Sequence, residues 1–210
     1  MNVSVVVPCY RSAGMLPTLL DRLEASLTAL AVEGVIGDWE VVLVSDGSPD
    51  ETGTVALRLA DERARVVALE LRRNFGQHNA LLAGIRQARS DVVVTLDDDL
   101  QHPPEEIGKL LAALGDGVDL VYGVPEEEEH GAARSLASRF VKASLASAGV
   151  ANARWVGAFR AFRTDLREAF AHLNEPNPNL DVILTWATSA VRAAPVRMDK
   201  RAEGRSGYDF

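Results

Sequence analysis

Val92-Val93-Val94-Thr95-Leu96-Asp97-Asp98-Asp99-Leu100-Gln101-His102-Pro103-Pro104 is the stretch on which the fold turns. Its first half is short, apolar and β-branched, which reads as a buried strand. Three carboxylates end the strand, and a proline pair then starts a helix. Open α/β sheets bind ligands at the carboxyl ends of their strands. Three acids there repel one another unless a cation joins them, and hard divalent ions take oxygen ligands while keeping positions for substrate phosphates. The stretch therefore reads as a metal–diphosphate site. The competing reading is an acidic turn that caps the following helix, a position where aspartate is common.

Working outward, strand-like and helix-like segments alternate. Val3–Pro8, Glu40–Val44, Val66–Leu71, Val92–Leu96 and Val118–Tyr122 read as strands. Leu16–Leu30, Pro49–Arg63, Gln77–Arg89 and Pro104–Leu114 read as the helices between them. This rhythm predicts an α/β fold with a mostly parallel, buried sheet and helices on both faces. After Gly123 the pattern changes: a loop with Glu126 to Glu129, a helix over Ala133–Ala148, then mixed segments with at least one strand, Ala190–Val196. No repeat or linker divides the chain, so a single domain is expected.

Composition narrows the function. Of 210 residues, 47% are hydrophobic, enough for one sizeable core. The net charge of −8 and pI near 5.0 argue against nucleic acid as a partner, since backbone binding needs clustered Lys and Arg. Cys9 is the single cysteine, which excludes an intrachain disulfide and a zinc-type cluster and suits a reducing, cytoplasmic compartment. No apolar run reaches the roughly 18–20 residues of a membrane span, and the N-terminus carries no signal-peptide pattern.

Polar residues gather at the predicted strand ends. Pro8-Cys9-Tyr10 ends the first strand, where Tyr10 could stack on a base or cover the sheet edge. Ser45-Asp46-Gly47-Ser48 ends the second, and a carboxylate there can accept from a base or ribose, or serve a turn and helix cap. Arg72-Arg73-Asn74-Phe75-Gly76-Gln77 is a basic turn into a helix N-terminus, suited to anions.

These motifs, with Val121-Tyr122-Gly123-Val124, Arg134–Phe140 and Arg201-Ala202-Glu203-Gly204-Arg205-Ser206-Gly207-Tyr208, resemble inverting family 2 glycosyltransferases of the GT-A fold. The branch they are most similar to is the polyprenyl-phosphate sugar synthases. The resemblance implies a nucleotide-binding part over about residues 1–123 and an acceptor-side part over about 124–210. It implies that Pro8, Tyr10 and Asp46 hold the donor's base and ribose and that Asn74 and Gly76 bind substrate, with Asp97 facing ribose or metal and Asp98 beside them in the substrate site. Asp99 and Gln101, with Asp97, would hold Mg²⁺ or Mn²⁺ across the donor diphosphate. Arg134 and Arg139 would meet an acceptor phosphate, and Arg201 and Ser206 would close over phosphate. The implied partners are a nucleoside-diphosphate sugar and a polyprenyl phosphate, at the cytoplasmic face of a membrane, with a homo-oligomer compatible.

One departure bears on the acceptor. Relatives usually carry an acid, a candidate base, where Ala158 stands in Val156-Gly157-Ala158-Phe159-Arg160. A phosphate acceptor with a second pKa near 6 needs little help from a base, whereas a sugar hydroxyl needs one. Asp181 is the alternative base, for a hydroxyl acceptor; its other reading is a helix N-terminal acid. Loss of catalysis, leaving a nucleotide-sugar-binding protein, and nucleotidyl transfer are the remaining rivals. Neither a Walker-type loop nor a dinucleotide-binding glycine motif is present.

Overall fold

The computed structural model describes residues 1–126, 155–173 and 175–199. Its strands are β1 (Val3–Cys9), β2 (Trp39–Ser45), β3 (Val66–Glu70), β4 (Val92–Thr95), β5 (Leu120–Pro125), β6 (Arg160–Arg163) and β7 (Val191–Val196). They form one sheet in the order β3-β2-β1-β4-β6-β5-β7. The helices among the described residues are α1 (Leu16–Val32), α2 (Thr52–Glu62), α3 (Gln77–Gln87), α4 (Ile107–Ala113) and α5 (Leu180–Ala187).

Valine-rich strands alternate their side chains between two cores, as the period of two requires. On one face, Val3, Val5, Val7, Val41 and Leu43 pack with Leu16, Leu19, Leu20, Leu23 and Leu27 of α1 and Leu110 of α4. On the other, Val6, Val42, Val44 and Val93 pack with Leu81, Leu82 and Ile85 of α3 and Leu180 and Leu184 of α5. Gly84 lets α3 press onto this face: a Cβ there would overlap Val6 Cγ1 and stand 3.0 Å from Val44 Cγ2.

β1 pairs in parallel with both β2 and β4, so the strand order reverses between β1 and β4. That reversal leaves a crevice at the carboxyl ends of β1 and β4, the usual place for a ligand in such sheets. The acidic stretch follows β4 directly.

Most expected elements appear with ends moved by a few residues. The helix expected from Pro49 begins at Thr52, because Asp50 Oδ1 accepts from the Thr52 amide at 3.1 Å and turns the chain first. β6 is a correction. It runs antiparallel between β4 and β5, and Arg160-Ala161-Phe162-Arg163 does not read as a strand because its first arginine is buried rather than facing water. Arg134 and Arg139, with the helix expected over 133–148, lie outside the described residues, as do Arg201 and Ser206.

Candidate active site

Four loops meet at the carboxyl edge of the sheet. Even-numbered residues of β1 direct their backbone groups toward β4, and Pro8 lies beyond the last β1–β4 pair, Val6 with Thr95. Its missing N–H therefore costs no ladder bond. Tyr10 follows, with the Arg11 guanidinium 5.4 Å from its ring centre. The Arg11 amide donates to Ser48 Oγ at 2.9 Å and the Ser12 amide to Thr52 Oγ1 at 2.9 Å, tying the β1 loop to the β2 loop.

Asp46, just after β2, is fully buried. Its carboxylate accepts from the Phe75 amide at 2.7 Å and the Gly76 amide at 2.9 Å. Charge-assisted bonds of this kind are the stronger sort. They draw the turn before α3 against the end of β2, and Gly47 makes that approach feasible. Gly47 has φ +56°, and a Cβ on it would stand 2.6 Å from the Asn74 nitrogen and run into the Arg73 backbone. Asn74 Oδ1 shares the Gly76 amide at 3.0 Å, and Arg73 lies over the Phe75 ring at 4.1 Å.

The acidic loop is held residue by residue. Asp97 Oδ1 accepts from Gln77 Nε2, on the first residue of α3, at 2.6 Å. Asp98 Oδ2 accepts from the Tyr10 amide at 3.1 Å, across the crevice between β4 and β1. Burial pushes the Asp98 carboxyl up to about 6, with the neighbouring Asp97 and Asp99 charges adding to the rise. Asp99, 8% exposed, accepts from the Gln101 amide at 3.0 Å. That turn places Leu100 at φ +61°, a conformation non-glycine residues seldom adopt and one concentrated at functional sites. Gln101 in turn accepts from the Asp199 amide at 2.9 Å.

The donor atoms offered by Asp97, Asp99 and Gln101 are all oxygens, the set a hard divalent ion takes. Among the described residues no three carboxylate, imidazole or thiolate side chains converge into a ready cage. The residues present therefore fit an ion that uses one or two carboxylates and completes its shell with phosphate oxygens and water.

Asp181 occupies a different setting. Asp181 is 6% exposed and ion-paired with Arg160, itself 2% exposed, and accepts from Tyr122 Oη at 2.9 Å. Its Oδ1 is thus engaged by both the guanidinium and the phenol hydroxyl. Asp181 stands in the first turn of α5, the other setting the sequence offered for it. Burial also pushes the Tyr122 phenol up. Asn179 caps α5 by accepting from the Asp181 and Val182 amides.

Gln77, Thr95, His102 and Arg160 also hold this site together, though none had a role legible in the sequence. Gln77 is the first residue of α3 and so carried a positional signal. Thr95 and Arg160 carried none, since their pairing depends on β6.

The sequence profile described as glycosyl transferase family 2 matches residues 4–175. The chain belongs to that family. Relatives include the undecaprenyl-phosphate 4-deoxy-4-formamido-L-arabinose transferase of Enterobacter sp. (strain 638), 37% identical over all of this chain and 63% of its own length. That of Pseudomonas aeruginosa (strain LESB58) is 38% identical over 98% of this chain and 60% of its own. The chain thus spans somewhat under two thirds of these relatives. Among solved structures, a mannosyltransferase of Pyrobaculum calidifontis in complex with GDP-Man and Mn²⁺ has a TM-score of 0.65 at 19% identity, covering 97% of this chain and 58% of that one. Glucosyl-3-phosphoglycerate synthase of Mycobacterium tuberculosis has a TM-score of 0.64 at 20% identity, covering 97% and 73%. The family 2 chain has the GT-A fold of these glycosyltransferases. No helix among its described residues is long and apolar enough to cross a membrane.

Proposed function

We propose that this domain transfers a sugar, with inversion, from a nucleoside-diphosphate donor to a polyprenyl phosphate, with Mg²⁺ or Mn²⁺ as cofactor. The observation that carries the reading is the Asp97-to-Gln101 loop at the reversal between β1 and β4, with Asp98 turned onto the Tyr10 amide and out of the ligand set. The names of the undecaprenyl-phosphate relatives support the acceptor class.

Asp97, Asp99 and Gln101 would hold the ion against the donor's diphosphate. The bound ion would neutralise the negative charge that grows on the departing nucleoside diphosphate. Gln77 keeps Asp97 in place from the α3 terminus, and the Asp46 clamp holds the Asn74–Gly76 turn beside it. Pro8 and Tyr10 lie where the donor's base and ribose would rest. The acceptor's phosphate oxygen forms the new bond to the anomeric carbon as the bond to the diphosphate breaks. With a second pKa near 6, a phosphate monoester is mostly dianionic at pH 7 and needs no base. Arg134, Arg139, Arg201 and Ser206 are the residues we assign to the phosphates. The domain would work at the cytoplasmic face of the membrane that holds the acceptor.

The test is a calorimetric screen of nucleoside-diphosphate sugars with Mn²⁺ or Mg²⁺, followed by turnover with undecaprenyl phosphate. Release of nucleoside diphosphate is expected, and pyrophosphate release would indicate nucleotidyl transfer instead. Asp99→Asn should lower kcat at least about 100-fold with the melting temperature preserved. Full metal-dependent turnover by that variant would refute the role given to Asp99.

A further inference from the structure

Both ends of the acidic loop rest on the same three residues, Ala158-Phe159-Arg160. At the near end, Thr95 Oγ1 donates to the Ala158 carbonyl at 2.7 Å and accepts from Arg160 Nε at 3.0 Å. At the far end, the His102 ring packs on Phe159 with centroids 5.4 Å apart. Phe159 is fully buried, and its carbonyl accepts from the Gly123 amide of β5 at 2.9 Å. Arg160 is fixed in turn by Asp181, which also receives the Tyr122 hydroxyl. Burying a guanidinium and a carboxylate is costly, and well-packed apolar residues of similar size would serve stability as well or better. The pair therefore calls for a reason other than stability.

We propose that Arg160 is a positioning residue that acts through Thr95 to set the placement of Asp97, Asp99 and Gln101 for their cation. The chain of contacts runs from Asp181 on α5 through Arg160 on β6 to Thr95, the last residue of β4, two positions before Asp97. Arg160 carries a fork of fixed geometry, so one nitrogen can face Asp181 while another faces the threonine hydroxyl. Residues that hold metal ligands from behind, without touching the ion, commonly govern affinity about as strongly as 10–100-fold. This inference rests on the metal-dependent reading above.

Three variants test it. Thr95→Val removes the hydroxyl at constant shape, Thr95→Ser restores it, and Arg160→Met with Asp181→Leu replaces the ion pair by apolar groups. Each is assayed for Mn²⁺ affinity by calorimetry in the presence of nucleoside diphosphate, for kcat and donor KM at saturating Mn²⁺, and for melting temperature. Thr95→Val and the double variant should bind Mn²⁺ at least about tenfold more weakly and lose kcat by a similar factor, with donor KM within about twofold. Thr95→Ser should recover most of both. Wild-type Mn²⁺ affinity and kcat in Thr95→Val or in a folded double variant would overturn the proposal while leaving the function standing. Failure of the wild-type protein to bind Mn²⁺ with any nucleoside diphosphate would remove the functional reading, and this one with it.

Discussion

In metal-free protein above neutral pH, Asp98 carries a charge where burial favours its neutral form, so Asp98→Asn should stabilise the fold there. The carboxyl is raised from 3.8 to about 6. A carboxyl whose folded pKa is raised contributes stability that is fully present below the unfolded value and lost as pH rises through the folded one. The loss therefore falls between about pH 4 and pH 6 and is complete by pH 7–8. Two pH units correspond to about 3 kcal/mol, an upper bound because Asp98 is partly open to solvent. Asparagine keeps an oxygen for the Tyr10 amide but brings an N–H₂ group that needs its own partner. A net gain of about 1–3 kcal/mol at pH 8 is expected. For a domain of this size that is roughly 2–4 °C of melting temperature per kcal/mol. Thermal melts of wild type and Asp98→Asn in EDTA at pH 4.5, 6 and 8 would check this. The difference should be smallest at the lowest pH, at about a third of its full size, and largest at the highest. A pH-independent difference, or a variant that is less stable at pH 8, would refute the argument.

Gly47→Ala should cost about 3 kcal/mol or more, from the left-handed backbone and from breaking the Asp46 clamp on the Phe75 and Gly76 amides. Urea unfolding measures it, and a near-neutral result would mean that the close approach of the two turns is not maintained. Asp181→Asn should lower stability by about 3–5 kcal/mol, because it leaves the Arg160 guanidinium buried without its counter-charge. A variant with unchanged melting temperature but abolished turnover would instead assign Asp181 the role of base. Arg22→Ala should cost under about 1 kcal/mol although Arg22 grips Glu105 through two bonds of 3.0 and 2.7 Å, since both side chains are substantially exposed, at 30% and 48%. A larger loss in urea unfolding would show that this surface pair holds the turn after the acidic loop.

Much was legible from residue order alone. Valine-rich strands alternating with amphipathic helices specify a two-faced α/β sheet, because burial of a period-two and a period-3.6 pattern leaves little other choice. A strand that ends in three aspartates and then a proline pair marks its own carboxyl end as the polar one. Local chemistry of this kind is written in neighbouring residues, so the Asp97-to-Asp99 cluster and Asp46 could be picked out before any contact was known, whereas Gln101 was marked by the family resemblance. What each carboxylate does depends on groups far away in sequence. Asp98 is drawn inward by an amide 88 positions earlier, and Asp46 is committed to amides 29 and 30 positions later. Asp181 looks like a free acid at a helix start until β6 carries Arg160 beside it. Only the tertiary structure could decide that, because a buried charge takes its role from the partner that compensates it, and that partner is chosen by the register of the sheet.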